Sequence, residues 1–161
     1  MAAAIGPLLA LYAGAFVFAI VVSAAIYLLT AVPLAALFRK TGIEPWKAWV
    51  PVYNTYEWLR LGGQTGHWAW LSFVPYGGMV TTVFLYMSMY RTGKAFGKDD
   101  GFLVLGIFLP VVWLFILGFG SDEYRPERIT AAGLGAPLAG YGAVVPGVPP
   151  ERPYPARPPQ G

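Results

Sequence analysis

Residues 1–38 carry no charged side chain, and this run constrains the fold more than any other feature of the sequence. About 20 apolar residues suffice to cross the hydrocarbon core of a bilayer, so the run is longer than one crossing needs. Pro7 and Pro33 lie near its ends, where proline disturbs a helix least. No Lys or Arg precedes the run, which favours a retained anchor over a cleaved signal peptide. The sequence therefore predicts a membrane-spanning helix over residues 11–30, followed by the basic pair Arg39 and Lys40.

Two further charge-free stretches, residues 68–90 and 102–119, predict two more spans. Only 12% of the residues are charged, against about 25% in a soluble domain. Residues 46–61 are ambiguous, because each Val or Leu favours insertion by about 0.3–0.6 kcal/mol whereas Glu57 opposes it by roughly 2.5–3.5 kcal/mol. We therefore expect an all-α integral membrane protein with three transmembrane helices and one interfacial or re-entrant amphipathic segment. Four transmembrane helices are the alternative.

Residues 1–124 are predicted to form the membrane domain and residues 125–161 a disordered tail. The tail contains nine prolines and little that forms a core. Two of its P-x-x-P segments, residues 150–153 and 155–158, have the composition of a solvated tail or of a site for a tail-binding protein.

Placing the N-terminus outside puts six Lys or Arg side chains inside and three outside, whether three or four spans form. The location predicted is the cell membrane, with multiple passes. The side of the tail stays open, although Glu57 favours three spans and a cytoplasmic tail. The net charge of +3 comes from dispersed residues, which gives no support for nucleic acid binding. The chain has no cysteine and one histidine, so the sequence predicts no metal site and no cofactor.

A weak internal repeat places a glycine loop, tryptophans, a proline and a tyrosine in two neighbouring segments, residues 42–54 and 63–76. A fainter third copy runs from Gly97 to Pro110. Each copy predicts an entry loop, an interfacial aromatic residue and a broken helix, and transporters use broken helices to bind ions. The structural positions singled out are Pro51, Tyr53, Pro75, Gly77, Gly78 and Pro110.

Residues 30–124 resemble a family of small bacterial, often actinobacterial, membrane proteins of unknown function. Some members are labelled "signal peptidase I" or "large exoprotein". The chain departs from the family pattern at residues 75–78 and at Glu57. The resemblance implies a fold and a location but no activity. The matching segments are residues 37–42, 46–54 with a P-x-Y-N core, 63–70, 93–98 and 117–120, followed by Tyr124.

The best polar constellation consists of Asn54, Glu57, Arg60 and His67. Intramembrane ionisable residues are functional candidates, but Glu57 and Arg60 at i, i+3 are also spaced to pair on one helix face. His67 is at a predicted membrane edge, where a polar anchor is the simpler interpretation.

Elsewhere the sequence gives less support for a catalytic site. Asp99 and Asp100 precede the third predicted span and are typical of a helix N-cap. Ser88 and Met89 echo the nucleophile site of signal peptidases, but no base is positioned to activate Ser88.

These observations predict a non-enzymatic scaffold or accessory subunit that acts through its helix bundle and tail. The expected partners are the lipid bilayer and either a protein partner or further copies of the chain. The alternative is a small oligomeric transporter or channel that uses the broken helices near Pro51 and Pro75.

Overall fold

The computed structural model describes residues 2–144, with side chains from residue 6 onward. Its described part is all-helical, with one long apolar helix near the N-terminus. Two 3₁₀ helices, Pro45–Trp49 and Gly66–Phe73, precede α2 and α3 respectively. The α-helices are α1 (Ala2–Thr41), α2 (Tyr53–Leu61), α3 (Gly77–Ala95), α4 (Gly101–Phe108), α5 (Pro110–Phe119) and α6 (Glu127–Ala131).

Helix α1 contains the predicted first span, residues 11–30. Its segment Gly6–Thr41 contains an 18-residue window with a mean hydropathy of 2.5 and is, within residues 2–144, the one helix long and apolar enough to cross a membrane. The part before Thr30 is almost entirely exposed, whereas Leu34, Leu37 and Phe38 are buried against the rest of the chain. The helix therefore has a free half and a packed half.

Helices α1, α2 and α3 end in the same way. Gly42, Gly63 and Gly97 each follow the helix with a positive φ of 81°, 74° and 73°. The next residue donates its N–H to a carbonyl five residues back, as in Ile43 to Phe38 (2.8 Å) and Lys98 to Gly93 (3.0 Å). This is the Schellman arrangement, in which glycine adopts the left-handed conformation without steric cost. The internal repeat of the sequence thus begins at equivalent turns.

The third predicted span, residues 102–119, is not a single helix. In a continuous helix Lys98 and Asp122 would be about 36 Å apart, but Lys98 Nζ lies 2.8 Å from Asp122 Oδ2. Phe102 and Trp113 also pack together, with ring centroids 5.8 Å apart. The chain reverses at Leu109 (φ −133°, ψ 64°), where Pro110 starts α5. The single kinked helix predicted here is thus replaced by two helices, because the proline begins a returning helix instead of bending a continuous one.

The second predicted span, residues 68–90, reverses as well. Trp68 stacks on Phe84 with ring centroids 4.5 Å apart, and Thr81 donates its hydroxyl to the carbonyl oxygen of Trp68 (2.8 Å). A continuous helix would separate these positions by about 20 Å or more. The reversal uses Pro75 and Tyr76, whose φ of 63° is left-handed. The sequence predicted a span interrupted near Pro75, and the structure reverses the chain at that interruption.

The ambiguous segment, residues 46–61, forms two short limbs joined at Pro51 and Val52. Lys47 Nζ lies 2.9 Å from Glu57 Oε1, so the limbs lie side by side. We name the three reversals hairpin 1 (residues 43–61), hairpin 2 (residues 64–95) and hairpin 3 (residues 98–119). Their tips are residues 50–52, 74–76 and 109.

The core lies between the packed half of α1 and the three hairpins. Its largest fully buried side chains include those of Trp113, Phe38, Leu37, Leu117 and Tyr124. Gly118 brings α5 against α1 so closely that a Cβ at that position would lie 2.6 Å from the carbonyl oxygen of Pro33. Backbone contact of this kind fixes α5 beside α1.

Residues 125–144 differ from the predicted disordered tail, because they fold across the ends of the helices. Arg125, Leu138 and Tyr141 donate their backbone N–H groups to the carbonyl oxygens of Ala95, Arg60 and Thr41, at 2.9, 2.8 and 2.8 Å. These carbonyls have no partner within their own helices. We call residues 125–144 the cap segment, and the end of the molecule it covers the base. The P-x-x-P segments lie outside the described residues.

Candidate functional site

Glu57 is the most buried charged side chain of the predicted constellation, with 4% of the side chain exposed. Its carboxylate accepts hydrogen bonds from Lys47 Nζ (2.9 Å) and Arg60 Nη1 (3.2 Å). Lys47 also reaches Glu44 (3.1 Å) at the edge of hairpin 1. Burial by itself lowers the pKa of Lys47, but hydrogen bonds and charge from Glu57 and Glu44 raise it overall. The lysine is therefore held as a cation in the pair.

Arg60 joins this ion pair to the cap segment. Its Nη2 donates to the carbonyl oxygen of Leu138 (2.7 Å), while its own carbonyl oxygen accepts the N–H of Leu138 (2.8 Å). Its guanidinium also lies 5.6 Å from the centre of the Tyr56 ring, within the range of a cation–π contact. A single arginine thus connects Glu57, Tyr56 and residue 138.

Asn54 and His67 do not join this network. The side-chain oxygen of Asn54 accepts the backbone N–H of Thr55 (2.5 Å) and its hydroxyl (3.0 Å) at the start of α2. The imidazole of His67 meets the ring of Tyr56 edge-on, at 6.1 Å between centroids. The structure therefore pairs Glu57 with Arg60 as the sequence predicted and leaves the other two side chains in separate roles.

A cavity of about 360 Å³ lies beside Tyr56, where the tip of hairpin 1 faces hairpin 2. Of the positions singled out from the sequence, Pro51 and Tyr53 line it. Val52, with φ 73° and ψ −50°, holds a conformation that is rare for a β-branched residue. Sequence reasoning missed Val52 and Trp70, because neither carries a charged or titratable group. The lining residues are Val50, Pro51, Val52, Tyr53, Tyr56 and Trp70.

Ser88 has a structural partner in place of a catalytic one. It is fully buried, and its hydroxyl donates to the carbonyl oxygen of Leu59 (3.3 Å) where α3 crosses α2. Gly62 makes this crossing close, since a Cβ there would overlap Ser88. The two lysines next in sequence pair elsewhere, Lys94 with Asp100 (2.6 Å) and Lys98 with Asp122 (2.8 Å).

Two basic side chains that the sequence did not single out cap helix ends at the base. Lys40 donates to the carbonyl oxygens of Leu117 (2.9 Å) and Gly120 at the end of α5. Arg91 donates to the carbonyl oxygen of Gly62 (3.1 Å) after α2. Cations are favourable there because a helix C-terminus carries partial negative charge. The signal in the sequence was that both residues come just after an apolar run that predicts a helix.

Asp99 accepts the N–H of Phe102 (3.2 Å) and so caps α4 as predicted. Asp100 pairs instead with Lys94, and hydrogen bonding from Lys94 and Tyr90 lowers its pKa. Between residues 2 and 144 no group of three or more His, Asp or Glu side chains is placed to hold a metal ion.

The family of unknown function DUF5684 matches residues 46–126, which is half of the chain. The chain belongs to this family. The DUF5684 region contains most of hairpin 1 and all of hairpins 2 and 3, and it ends where the cap segment begins. No curated protein and no solved structure matches the chain. The expected resemblance to a family of unknown function is confirmed.

Proposed function

We propose that this DUF5684 protein is a non-enzymatic membrane scaffold or accessory subunit in the cell membrane. Helix α1 anchors it, the three hairpins form a folded module beside α1, and the cap segment fixes where the C-terminal residues leave the module. Its partners are the bilayer and either a second protein or further copies of the chain. Residues 145–161 carry the P-x-x-P segments and would supply a site for a tail-binding protein.

The observation that carries this proposal is the set of partners that surrounds Glu57 and Arg60. The carboxylate of Glu57 meets two cations, and one of them, Arg60, holds residue 138 through both its side chain and its backbone. An ionisable residue that relays protons or ions needs a changing partner, whereas this one is fixed on both sides. The cluster therefore supports a role in joining the helical module to its C-terminal segment.

The free half of α1 supports association. Its apolar side chains have no partner within the described part of the chain, and several are more than half exposed. Apolar surface of this extent is covered by lipid or by another protein. The most exposed of them are Leu9, Leu11, Tyr12, Phe16 and Phe18.

The test is purification of the tagged full-length chain from its native membrane in a mild detergent, followed by quantitative mass spectrometry. We expect either an enriched partner at fixed stoichiometry or an oligomer of the chain. The matched comparison is a chain with Pro149→Ala, Pro153→Ala and Pro155→Ala, which breaks every P-x-x-P segment of residues 145–161 and should lose a tail-binding partner. A lone monomer in both preparations would sink the proposal.

A transporter or channel is the second candidate, and the cavity at the tip of hairpin 1 is the observation that favours it. The cavity is lined by Pro51 at the broken segment of hairpin 1 and by Trp70 of hairpin 2, and transporters place their sites at broken helices. Trp70→Ala would then change solute flux into liposomes, whereas Phe119→Ala, an exposed residue of hairpin 3 away from the cavity, would not. Flux no higher than in empty liposomes would dismiss this candidate.

A further inference from the structure

In each of the three hairpins, the charged side chains lie toward the base and the tip carries apolar side chains. Residues 48–56, 62–90 and 101–121, which contain all three tips, carry no Asp, Glu, Lys or Arg. The charged residues between positions 39 and 144 all lie outside these ranges, in residues 39–47, 57–61, 91–100 and 122–128. In contrast, the tips and the residues next to them expose apolar and aromatic surface. Tyr76 is 87% exposed, Phe108 78% and Met79 73%.

All three tips lie at the same end of the molecule, away from the base. Each tip is at the N-terminus of a helix, namely α2, α3 or α5. The C-termini of α1, α2 and α3 meet the cap segment, and that of α5 meets Lys40 of α1. The tips therefore point toward the free half of α1. A hydrogen bond from the Tyr27 hydroxyl to the carbonyl oxygen of Trp49 joins α1 to hairpin 1 near its tip.

The backbone at the tips is suited to an environment without water. Lipid tolerates a chain reversal only where the backbone polar groups find partners inside the protein. The N–H and carbonyl groups of Val50, Val74 and Leu109 all have backbone partners at 2.7–3.4 Å. The residue that follows each of these three is a proline, which has no N–H to satisfy. The three prolines thus remove the donor that a reversal would otherwise expose.

We propose that the tips of the three hairpins insert into the hydrocarbon core from one side of the membrane, and that α1 alone crosses it. The occupant of the apolar tip surface is thus the bilayer itself. Helices α2 and α5 are about 14 and 15 Å long, which reaches the middle of a core of roughly 30 Å. The charge-free part of α3, residues 77–90, is about 21 Å long and inserts more deeply.

With three or four spans, the side of the membrane that the C-terminal residues occupy stayed open. This topology assigns that side. With α1 as the one crossing, all nine Lys and Arg residues between residues 39 and 128 lie on the same side as the base. None lies on the other side among the described residues. The positive-inside rule then places the base and the cap segment in the cytoplasm and the start of α1 outside. The inference rests on the membrane anchoring proposed above.

Sidedness can be measured on a clean background because the chain has no cysteine. Single cysteines are introduced in the full-length chain as Gln64→Cys, Asp99→Cys and Ser121→Cys, and intact cells are treated with a membrane-impermeant maleimide. We expect all three to react only after permeabilisation. Three spans would expose position 99 in intact cells, and four would expose positions 64 and 121, so labelling of any one of them overturns the proposal.

The depth of the tips in the bilayer is measured at two phenylalanine positions of hairpin 3. The purified full-length chain is reconstituted into phosphatidylcholine vesicles. Phe108→Cys at the tip and Phe119→Cys at the base are spin-labelled and exposed to oxygen and to a water-soluble nickel chelate. We expect the label at position 108 to respond mainly to oxygen and that at 119 more to nickel. Equal nickel access at both positions, or spin–spin broadening at 108 that grows with protein density, would assign the tips to water or to a second copy. Either result leaves the purification test of the scaffold unaffected.

Discussion

Hairpins 1 and 3 are each closed by a lysine–carboxylate pair between their limbs, and the two pairs have almost the same length. The distance is 2.9 Å for Lys47 and Glu57, and 2.8 Å for Lys98 and Asp122. Their surroundings differ, because the side chain of Glu57 is 4% exposed and that of Asp122 is 32% exposed. Equal geometry therefore does not give equal energy, since solvent screens the second pair more than the first.

Hairpin 3 depends instead on apolar packing between its limbs. Trp113 lies between Trp58 and Phe102, with ring centroids 6.0 and 5.8 Å away, and Gly106 leaves room for its indole. Inside hairpin 1, Trp46 and Tyr53 meet with ring centroids 6.0 Å apart, but both side chains are about half exposed. Its buried Trp58 packs outward on hairpin 3. One hairpin is thus held by charge and the other by its core.

The largest expected effect is that of Trp113→Ala, which removes the fully buried centre of hairpin 3. We expect a loss of about 3–5 kcal/mol in the free energy of unfolding, as for other buried tryptophans. Denaturant titration in a mild detergent measures it. Trp70→Ala, at a side chain that is 59% exposed, should change stability by about 0.5 kcal/mol or less. Equal losses would show that hairpin 3 does not depend on its core.

Glu57→Gln should come next, because it leaves Lys47 and Arg60 without their shared carboxylate. Breaking a fully buried pair costs about 3–5 kcal/mol, and the 22% and 28% exposure of the two cations reduces this to about 2–3 kcal/mol. The control is Glu44→Gln, which removes an exposed partner of the same lysine and should cost less than about 1 kcal/mol. If the two variants unfold at the same denaturant concentration, burial does not distinguish the two pairs.

Gly106→Ala sharpens the comparison by crowding the core of hairpin 3. The added Cβ would lie 2.9 Å from Cδ1 of Trp113 and 2.5 Å from the terminal methyl of Met89. Since Met89 can move and Trp113 cannot, we expect a loss of about 1–2 kcal/mol. Gly78→Ala in α3, where nothing lies within 4 Å, should instead gain up to about 1 kcal/mol of helix propensity. The thermal midpoints in detergent should move in opposite directions.

The smallest effect is expected for the pair that closes hairpin 3. Lys98→Gln should cost less than about 1 kcal/mol, and the cost should shrink as salt is added. A double-mutant cycle with Asp122→Asn isolates the coupling between the two side chains. A coupling above about 2 kcal/mol that persists in high salt would place this pair in the same class as Lys47 and Glu57.

The sequence was sufficient for the helical class, for the long helix α1 and for the i, i+3 pairing of Glu57 with Arg60. Each follows from local spacing or from hydropathy, which a single segment displays by itself. The capping role of Asp99 followed in the same way from its place before a helix.

The reversal of the second and third predicted spans could not be read from hydropathy. An apolar run of 18 residues has the same average whether it crosses the membrane or turns back in the middle. Pro33 lies inside the continuous helix α1, whereas Pro110 starts a new one. The deciding contacts, such as Lys98 with Asp122 and Phe102 with Trp113, join residues far apart in sequence. The repeated pattern of glycine loop and proline was the one local signal of the hairpins.

The docking of residues 125–144 was missed for a related reason. Their composition resembles that of a disordered tail, and few of their side chains enter the core. They are ordered instead by backbone N–H groups that meet the carbonyl ends of α1, α2 and α3. Backbone complementarity of this kind leaves no trace in the identity of the side chains.

The cap segment also imposes an order on biosynthesis. The carbonyl of Thr41 receives its hydrogen bond from Tyr141, a residue that the ribosome adds one hundred positions later. At about 5–20 residues per second, the end of α1 waits roughly 5–20 s for that partner. During this interval the carbonyl of Thr41 lacks its bond from Tyr141, and Arg60 lacks its two bonds to Leu138 until that residue is added. A nascent chain that stalls before residue 138 would therefore present an unfinished surface to the quality-control machinery of the cell.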